Sequence, residues 1–531
     1  MPDTGGVLAY PLLIQHADDD IRSIGRTLAH YLSVSVATLE STDDDAGTTP
    51  TPYPTPYRST EYPDDPRAAY PPRTGTTWRS SMAVTLERRQ AGQMAADREL
   101  STRAAAEAYI GGVCFKLGPP GLIGAELEWL TTHGECPASG PTAAPRPPLD
   151  LLADALGPYA PRSIAPDSPA LALPGGSRVT IEPGGQIELS SAPYATAAQL
   201  IEQLRADTEM LRKLLETQCV GMVSAAADAG RRARRVLRLP RYQAMERYLA
   251  GLGPFGKLMM CNTAAIQVSV DAGTDPAEAV ARWTALYAIG PALSAAFACS
   301  PELRGAPAGE WASQRMRTWL RLDHSRTRPP VEDWADPIAG YARWALDAPL
   351  LCVRSREPET GASSSAGEWD RGLGTGAADC SWAAPPGATF ADWLSGALDD
   401  EVGRRPDRSD LDYHLTTMFP PVRPSGHLEV RYLDAQPDES WTVPIDVIDA
   451  LMSSPAAVAE ATGIAGPTAG RWLDAARCGL ADREIRAAAA ELLDAAATHA
   501  ATPAAADAIH AAAQRCRSAR HPGRLESGSA S

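Results

Sequence analysis

The chain has 531 residues, with 49 basic against 65 acidic side chains and a formal net charge of −16. That balance excludes a general nucleic-acid binder, which needs a basic face to neutralise phosphates. It leaves room for a small anionic substrate, because a few arginines and a bound cation reverse the potential locally.

The first 81 residues read as an extension. Residues 41–80, which contain "STDDDAGTTPTPYPTPYRSTEYPDDPRAAYPPRTGTTW", are rich in Pro, Thr and Asp with no apolar period, and are expected to be disordered. A helix around "DIRSIGRTLAHYLSVSVATL" has no evident partner, and the N-terminus lacks the pattern of a signal peptide. The folded domain is predicted over 82–440 and opens with an amphipathic helix through "RELSTRAAAEAYIGGVCF". Two stretches, "TTHGECPASGPTAAPRPP" and the Ser/Gly-rich one around 357–379, read as long loops, the second a lid or an ornament. The uncharged run Trp283 to Pro301 approaches the length of a membrane span, but Gly290-Pro291 interrupts it, so a buried core helix is expected and no membrane partner. Residues 441–517 form an Ala-rich helical part of the same domain, and 518–531 a disordered tail. The nine cysteines are scattered without a CxxC pair, which points to reduced thiols in the cytoplasm and neither zinc nor disulfides.

Alternation with period two assigns residues to strand faces. In "GAELEWL", Glu126 and Glu128 share a face opposite Leu127 and Trp129. Thr180 and Glu182 share one in "SRVTIE"; after the turn Pro183-Gly184-Gly185, Gln186 and Glu188 oppose Ile187 and Leu189. Gln267, Ser269 and Asp271 alternate with Ile266, Val268 and Val270, as His427, Glu429 and Arg431 do with Leu428, Val430 and Tyr432. Taken singly, each strand reads as the wet side of an antiparallel sheet. Together the faces hold mainly Glu, Gln and Asp.

If these faces converge, five glutamates meet. Two like charges ~4 Å apart repel by about 4 kcal/mol at the effective dielectric of a partly buried site. Several such pairs rival the whole stability of a domain, about 5–15 kcal/mol. A cation must then sit among them, and an all-oxygen ligand set suits Mg²⁺ or Mn²⁺ serving phosphoryl transfer from ATP.

The segments "GAELEWL", "TIEPGGQIELS", "RYQAMERYL", "MMCNTAAIQVSVDAG", "RMRTWLRLDHSRTRP", "TFADWL" and "YHLTTMFPPVRPSGHLEVRYLDAQP" occur in the order seen in glutamate–cysteine ligases. The chain resembles the plant-type branch and its actinobacterial relatives that make γ-glutamylcysteine for ergothioneine. The resemblance implies an α+β fold similar to glutamine synthetase, a curved antiparallel sheet funnel with helices outside. It implies that Glu126, Glu128, Glu182, Glu188 and Glu429 ligate Mg²⁺, with Gln186, Gln267 and Asp271 as further ligands or in the shell behind them. It implies Arg241, Arg315 and Arg431 as clamps for substrate carboxylates, whose planar fork a guanidinium matches; Arg317, two residues from Arg315, is interchangeable with it at this level. Gln267 also joins the substrate-binding set, and Arg431 and Glu429 the catalytic one.

The implied reaction joins the glutamate γ-carboxylate to the amine of cysteine, with ATP and Mg²⁺, in a monomer or small homo-oligomer. A ligase of this fold using another amine, and a catalytically dead relative, stay open beside it. His414 and His427 are candidate acid/base groups or local hydrogen-bonding residues, Cys261 a packed thiol, and Trp311, Trp319 and Trp393 core residues.

Overall fold

In a computed structural model of the chain, the residues described are 100, 102–118, 121–134, 144–328, 336–354 and 382–522. The expectations for residues 1–81 and for the loop 357–379 lie outside these, as do the middle of the loop after β1 and the tail from 523. From Leu100 onward the chain groups as one compact unit.

Seven strands form the scaffold: β1 (Ile123–His133), β2 (Arg178–Ile181), β3 (Ile187–Ser190), β4 (Val220–Val223), β5 (Ala265–Val270), β6 (Val422–Pro424) and β7 (Leu428–Asp434). They pair antiparallel in the order β2-β3-β1-β5-β7-β6, while β4 takes the far half of β1. The expected α+β class with an antiparallel sheet is the architecture adopted. Sequence reading missed β4 and β6, each of four residues or fewer. β4 (VGMV) has a glycine and no polar–apolar alternation, and β6 (VRP) ends in proline, so neither shows the period that marks the equally short β2 and β3.

Register makes one face polar. Glu128 lies opposite Glu188, Glu126 opposite Gln267, Thr180 opposite Glu188, and Ser269 opposite Glu429. The other face holds Leu127, Ile187, Leu189, Val268, Leu428 and Val430, each at most 1% exposed. Residues directly opposed in an antiparallel pair project to the same side.

Helices cover the apolar face. The helix Pro276–Ala296 starts from an Asp275 side chain that accepts from the Glu278 amide, with Pro276 at its first turn. Tyr287 Oη donates to the carbonyl of Val422 (2.8 Å) and Tyr432 Oη to that of Leu286 (3.2 Å), which ties this helix to β6 and β7. Its buried run includes Gly290 and Pro291, so the uncharged segment is a core helix. Among the described residues no single helix is long and apolar enough to cross a membrane. The alanine-rich helices Pro455–Ala465, Trp472–Cys478 and Arg483–His499 pack around it. Alanine suits this layer because small side chains let the helix backbones approach closely.

Gly290 is the tightest of these contacts, since a Cβ there would stand 2.0 Å from the Trp472 ring. Gly290→Ala should therefore destabilise the protein by about 1–3 kcal/mol through overpacking. The urea midpoint should fall, and a midpoint equal to wild type would refute this packing.

Candidate active site

The β2–β3 hairpin builds one wall of the polar face. The Gly185 amide donates to the Glu182 carbonyl (2.8 Å), and the Glu182 amide to the Gln186 carbonyl (2.8 Å). Gly185 takes φ +87, a backbone conformation glycine adopts without penalty. At Gly184 a Cβ would stand 2.2 Å from the Cys261 carbonyl oxygen, so the turn rests directly on the Cys261 backbone. The turn is packed structure, and it delivers Glu182 and Gln186 to the ends of the hairpin.

The five glutamates share this face. Glu188 Oε1 accepts from Thr180 Oγ1 (2.6 Å), Glu126 Oε1 from Ser190 Oγ (3.0 Å), and Glu128 Oε2 from the Ala265 amide (2.9 Å). Gln267 Nε2 donates to Glu126 Oε2 (2.8 Å) and reaches Glu128 Oε1 (3.3 Å). Glu188 and Glu429 are buried, while Glu126, Glu128 and Glu182 stay half-buried.

Burial and crowding set the charges. Burial, then the Glu429 charge, pushes the Glu126 carboxyl up to about 7. Burial, then Glu182, pushes Glu128 up to about 8. Burial raises Glu182 too, and Glu188 rises far above the ordinary range through burial with Glu126, Glu182 and Glu128 around it. Without a cation, Glu126 and Glu128 hold protons near neutral pH, and Glu182 and Glu188 are shifted in the same direction.

Glu429 behaves in the opposite way. Burial disfavours its charge, but the guanidiniums of Arg423 and Arg431 prevail and hold it down to about 2. Arg423 Nε donates to Oε2 (2.6 Å) and its Nη2 to Oε1 (3.1 Å), and Arg431 Nη1 adds a third bond to Oε2 (2.8 Å). The sequence grouped Glu429 with the four others; here two arginines engage both of its oxygens. Arg423 was overlooked because prolines flank it in "PPVRPSG". The Ser-Gly turn signal at 425–426 would have placed it opposite Glu429, where β6 puts it.

The expected arginines ring the cluster. Arg315 is 3% exposed, donates from Nη2 to the Arg431 carbonyl (2.7 Å), and its charge lowers Glu128. Arg315 and Arg431 both lie over the Trp319 ring, 5.7 and 5.4 Å from its centroid. Arg317 turns away, donating to the carbonyls of Pro307 (2.7 Å) and Ala308 (3.3 Å), so Arg315 is the member of that pair beside the acidic face. Arg241 bonds Thr416 through its side chain (2.8 Å) and carbonyl (3.0 Å), stacks on Tyr413, and opposes the burial-driven rise of Glu182.

The donor set fits a hard divalent cation in kind. Besides the four carboxyl groups, Gln186 Oε1 and Gln267 Oε1 are buried acceptors without a hydrogen-bond donor. Gln186 is anchored by its other end, Nε2 donating to the Thr263 carbonyl (2.9 Å). Among the described residues no three acidic, His or Cys side chains already close on one point. Asp271 stands apart from this group: its Oδ2 accepts the Leu122 amide (2.8 Å) and fixes the approach to β1.

The remaining candidates resolve as structure. His414 Nε2 meets the Ala345 carbonyl (2.7 Å), and burial lowers its pKa to about 4, so it is neutral at pH 7. Burial also lowers His427. Cys261 is buried, its thiol pushed up to about 12 by burial. Trp393 is core, while Trp319 is the platform under the two arginines.

An acidic sheet face ringed by arginines is the equipment of an enzyme that joins carboxylates at the expense of a nucleotide, and the comparisons agree in class. The family model described as "Glutamate-cysteine ligase family 2" matches residues 122–528, and the chain belongs to that family. The glutamate–cysteine ligase EgtA of Mycolicibacterium smegmatis is 37% identical over 398 residues, 74% of this chain and 83% of that protein. A chloroplastic glutamate–cysteine ligase of Medicago truncatula is 30% identical over 267 residues, 50% of this chain and 48% of that protein. A solved glutamate–cysteine ligase of Francisella tularensis in complex with AMP covers 76% of this chain and 83% of its own, at 13% identity and TM-score 0.41.

The raised carboxyls make a signed prediction. Between the ordinary value of 4.5 and about 8, the folded state binds more protons here than the unfolded chain, so stability falls as pH rises. Glu429 acts oppositely, but its contribution is lost only below pH 4.5, outside this window. The metal-free protein should lose melting temperature from about pH 5 to 8, and Mg²⁺ should restore it at the upper end. A shallower profile in Glu128→Gln/Glu188→Gln, with Glu126 and Glu182 still titrating, would support the assignment. Wild-type melting that ignores both pH and Mg²⁺ would contradict it.

Proposed function

We propose that the chain ligates the γ-carboxylate of glutamate to the amine of cysteine, consuming ATP and yielding γ-glutamylcysteine, ADP and phosphate. The observation that carries this reading is the gathering of Glu126, Glu128, Glu182 and Glu188 on one sheet face with Arg241, Arg315 and Arg431 at its rim. Family membership supports it independently. The product would feed low-molecular-weight thiol synthesis of the ergothioneine type, in the cytoplasm, by a monomer or small homo-oligomer.

In this reading an oxygen of the γ-carboxylate attacks the terminal phosphorus of ATP, ADP leaves, and an acyl phosphate forms. The cysteine nitrogen then attacks the acyl carbon, phosphate leaves, and the amine gives up its proton. Glu126, Glu128, Glu182 and Glu188, with the free oxygens of Gln186 and Gln267, would hold Mg²⁺ (Mn²⁺ in its place). The ions supply charge neutralisation for the phosphates and a template that orients them.

The chain's own residues do the rest. Arg241 and Arg315 bind the amino-acid carboxylates and fix their direction, converting encounter into alignment. Arg431 presents positive charge where the transferred phosphoryl group develops negative charge. Glu429 keeps Arg431 in place through its 2.8 Å bond, and becomes a fifth metal ligand only if it exchanges its arginine partners. Gln267 links Glu126 and Glu128, so it sets the spacing of two ligand carboxylates.

The decisive experiment supplies purified protein with ATP, Mg²⁺, glutamate and a panel of amines. Phosphate release should be fastest with cysteine. A non-thiol amine that outperforms cysteine would remove the acceptor assignment, and no release with any amine would mark a dead relative. Glu188→Gln should lower turnover by about 10–100-fold or more and weaken its Mg²⁺ dependence; unchanged turnover would sink the ligand role.

A further inference from the structure

Asp434 lies at the end of β7 and has no part in the chemistry above, yet the sheet is distorted to deliver it. Val268 faces Val430, but two residues on, Ile266 faces Leu433. Two steps along β5 therefore match three along β7, a bulge that switches the faces of β7. Simple alternation from Leu428 and Val430 puts Asp434 on the apolar side. Past the bulge it faces Ala265 instead, on the side of Gln267 and Glu429.

There the carboxylate is 2% exposed and fully engaged. Oδ2 accepts from Ser300 Oγ (2.7 Å) and the Cys299 amide (3.0 Å), and Oδ1 from Ser313 Oγ (2.9 Å). These donors are neutral and leave the negative charge uncompensated. The Arg315 guanidinium supplies the counter-charge, its Nη1 3.8 Å from Oδ1. Ser313 also caps the helix Gln314–Leu320, its Oγ accepting the Met316 amide (3.0 Å), and that helix carries Arg315. One carboxylate thus grips both the root of the arginine, through the cap, and its head, through charge.

We infer that Asp434 is the positioning residue of Arg315. It holds the guanidinium at the acidic face so that the remaining N–H groups meet the carboxylate of one amino-acid substrate. The inference rests on the ligase reading and extends it to a residue that touches no substrate. Ser300 and Ser313 serve the same end by fixing the carboxylate. An Asp434 that only fastened β7 to the 299–313 segment would affect folding, and not the affinity for one substrate alone.

The test is steady-state kinetics of full-length Asp434→Asn, with glutamate, cysteine and ATP varied in turn and rates expressed per folded enzyme. Loss of a charge-assisted contact to a buried guanidinium should raise KM for one amino acid about tenfold. KM for ATP should stay within about twofold of wild type. Arg315→Lys combined with Asp434→Asn should cost less than the product of the two single effects. Ser300→Ala, a milder change, should move the same KM in the same direction by a smaller factor. A wild type without turnover sinks the ligase reading and this inference with it. An active wild type beside Asp434→Asn with unmoved or uniformly raised KM values sinks the inference alone. Should Asp434→Asn fail to fold, an unmoved KM in Ser300→Ala overturns it equally.

Discussion

The molecule is organised around a repulsion. Antiparallel pairing sets Glu128 directly across from Glu188, with Glu126 beside it on β1, and the next strands bring Gln267 and Glu429 to the same face. Like charges so placed are destabilising unless they hold protons or share a cation. The chain permits the first, and the proposed function calls for the second. Its carboxyls rise toward and above neutrality through burial, and two amide oxygens among them lack any donor. Much of the scaffold follows from keeping these groups in place: the glycine turn seated on Cys261, the helix layer behind the sheet, and the arginines at the rim.

The one carboxylate that escapes this condition shows how fine the balance is. Glu429 sits on the same face, yet Arg423 directly opposite and Arg431 two residues on leave it ionised. The acidic face is thus two zones. One, around Glu188, has raised carboxyls and is where the proposed function seats its cations; the other, around Glu429, already has arginine side chains for counter-charge. Such a division suits a reaction that must hold both a polyphosphate and an amino-acid carboxylate.

Much of this was legible in the sequence because a strand writes its faces in a period of two. The alternations at 126–129, 186–189 and 266–271 each assigned the right side chains to the polar face. Period alone does not say which strands are neighbours. The meeting of Glu128 with Glu188 came from the motif resemblance, and the register makes it concrete. Three features stayed hidden for physical reasons. β6 is too short and proline-flanked to announce itself, which concealed Arg423. Asp271 obeys the alternation but is taken by a backbone amide at the strand's end. Asp434 breaks the alternation through a bulge, a feature of pairing between strands and not of either strand alone.

The most direct test of the central claim is a Mn²⁺ titration of the nucleotide-free protein at pH 7, followed by electron paramagnetic resonance together with the protons released. The account predicts saturable binding that liberates protons, because Glu126, Glu128 and Glu188 must give them up to become ligands, and a marked weakening in Glu188→Gln. Binding without proton release, or no saturable binding, would mean that these carboxylates do not gather around a shared cation.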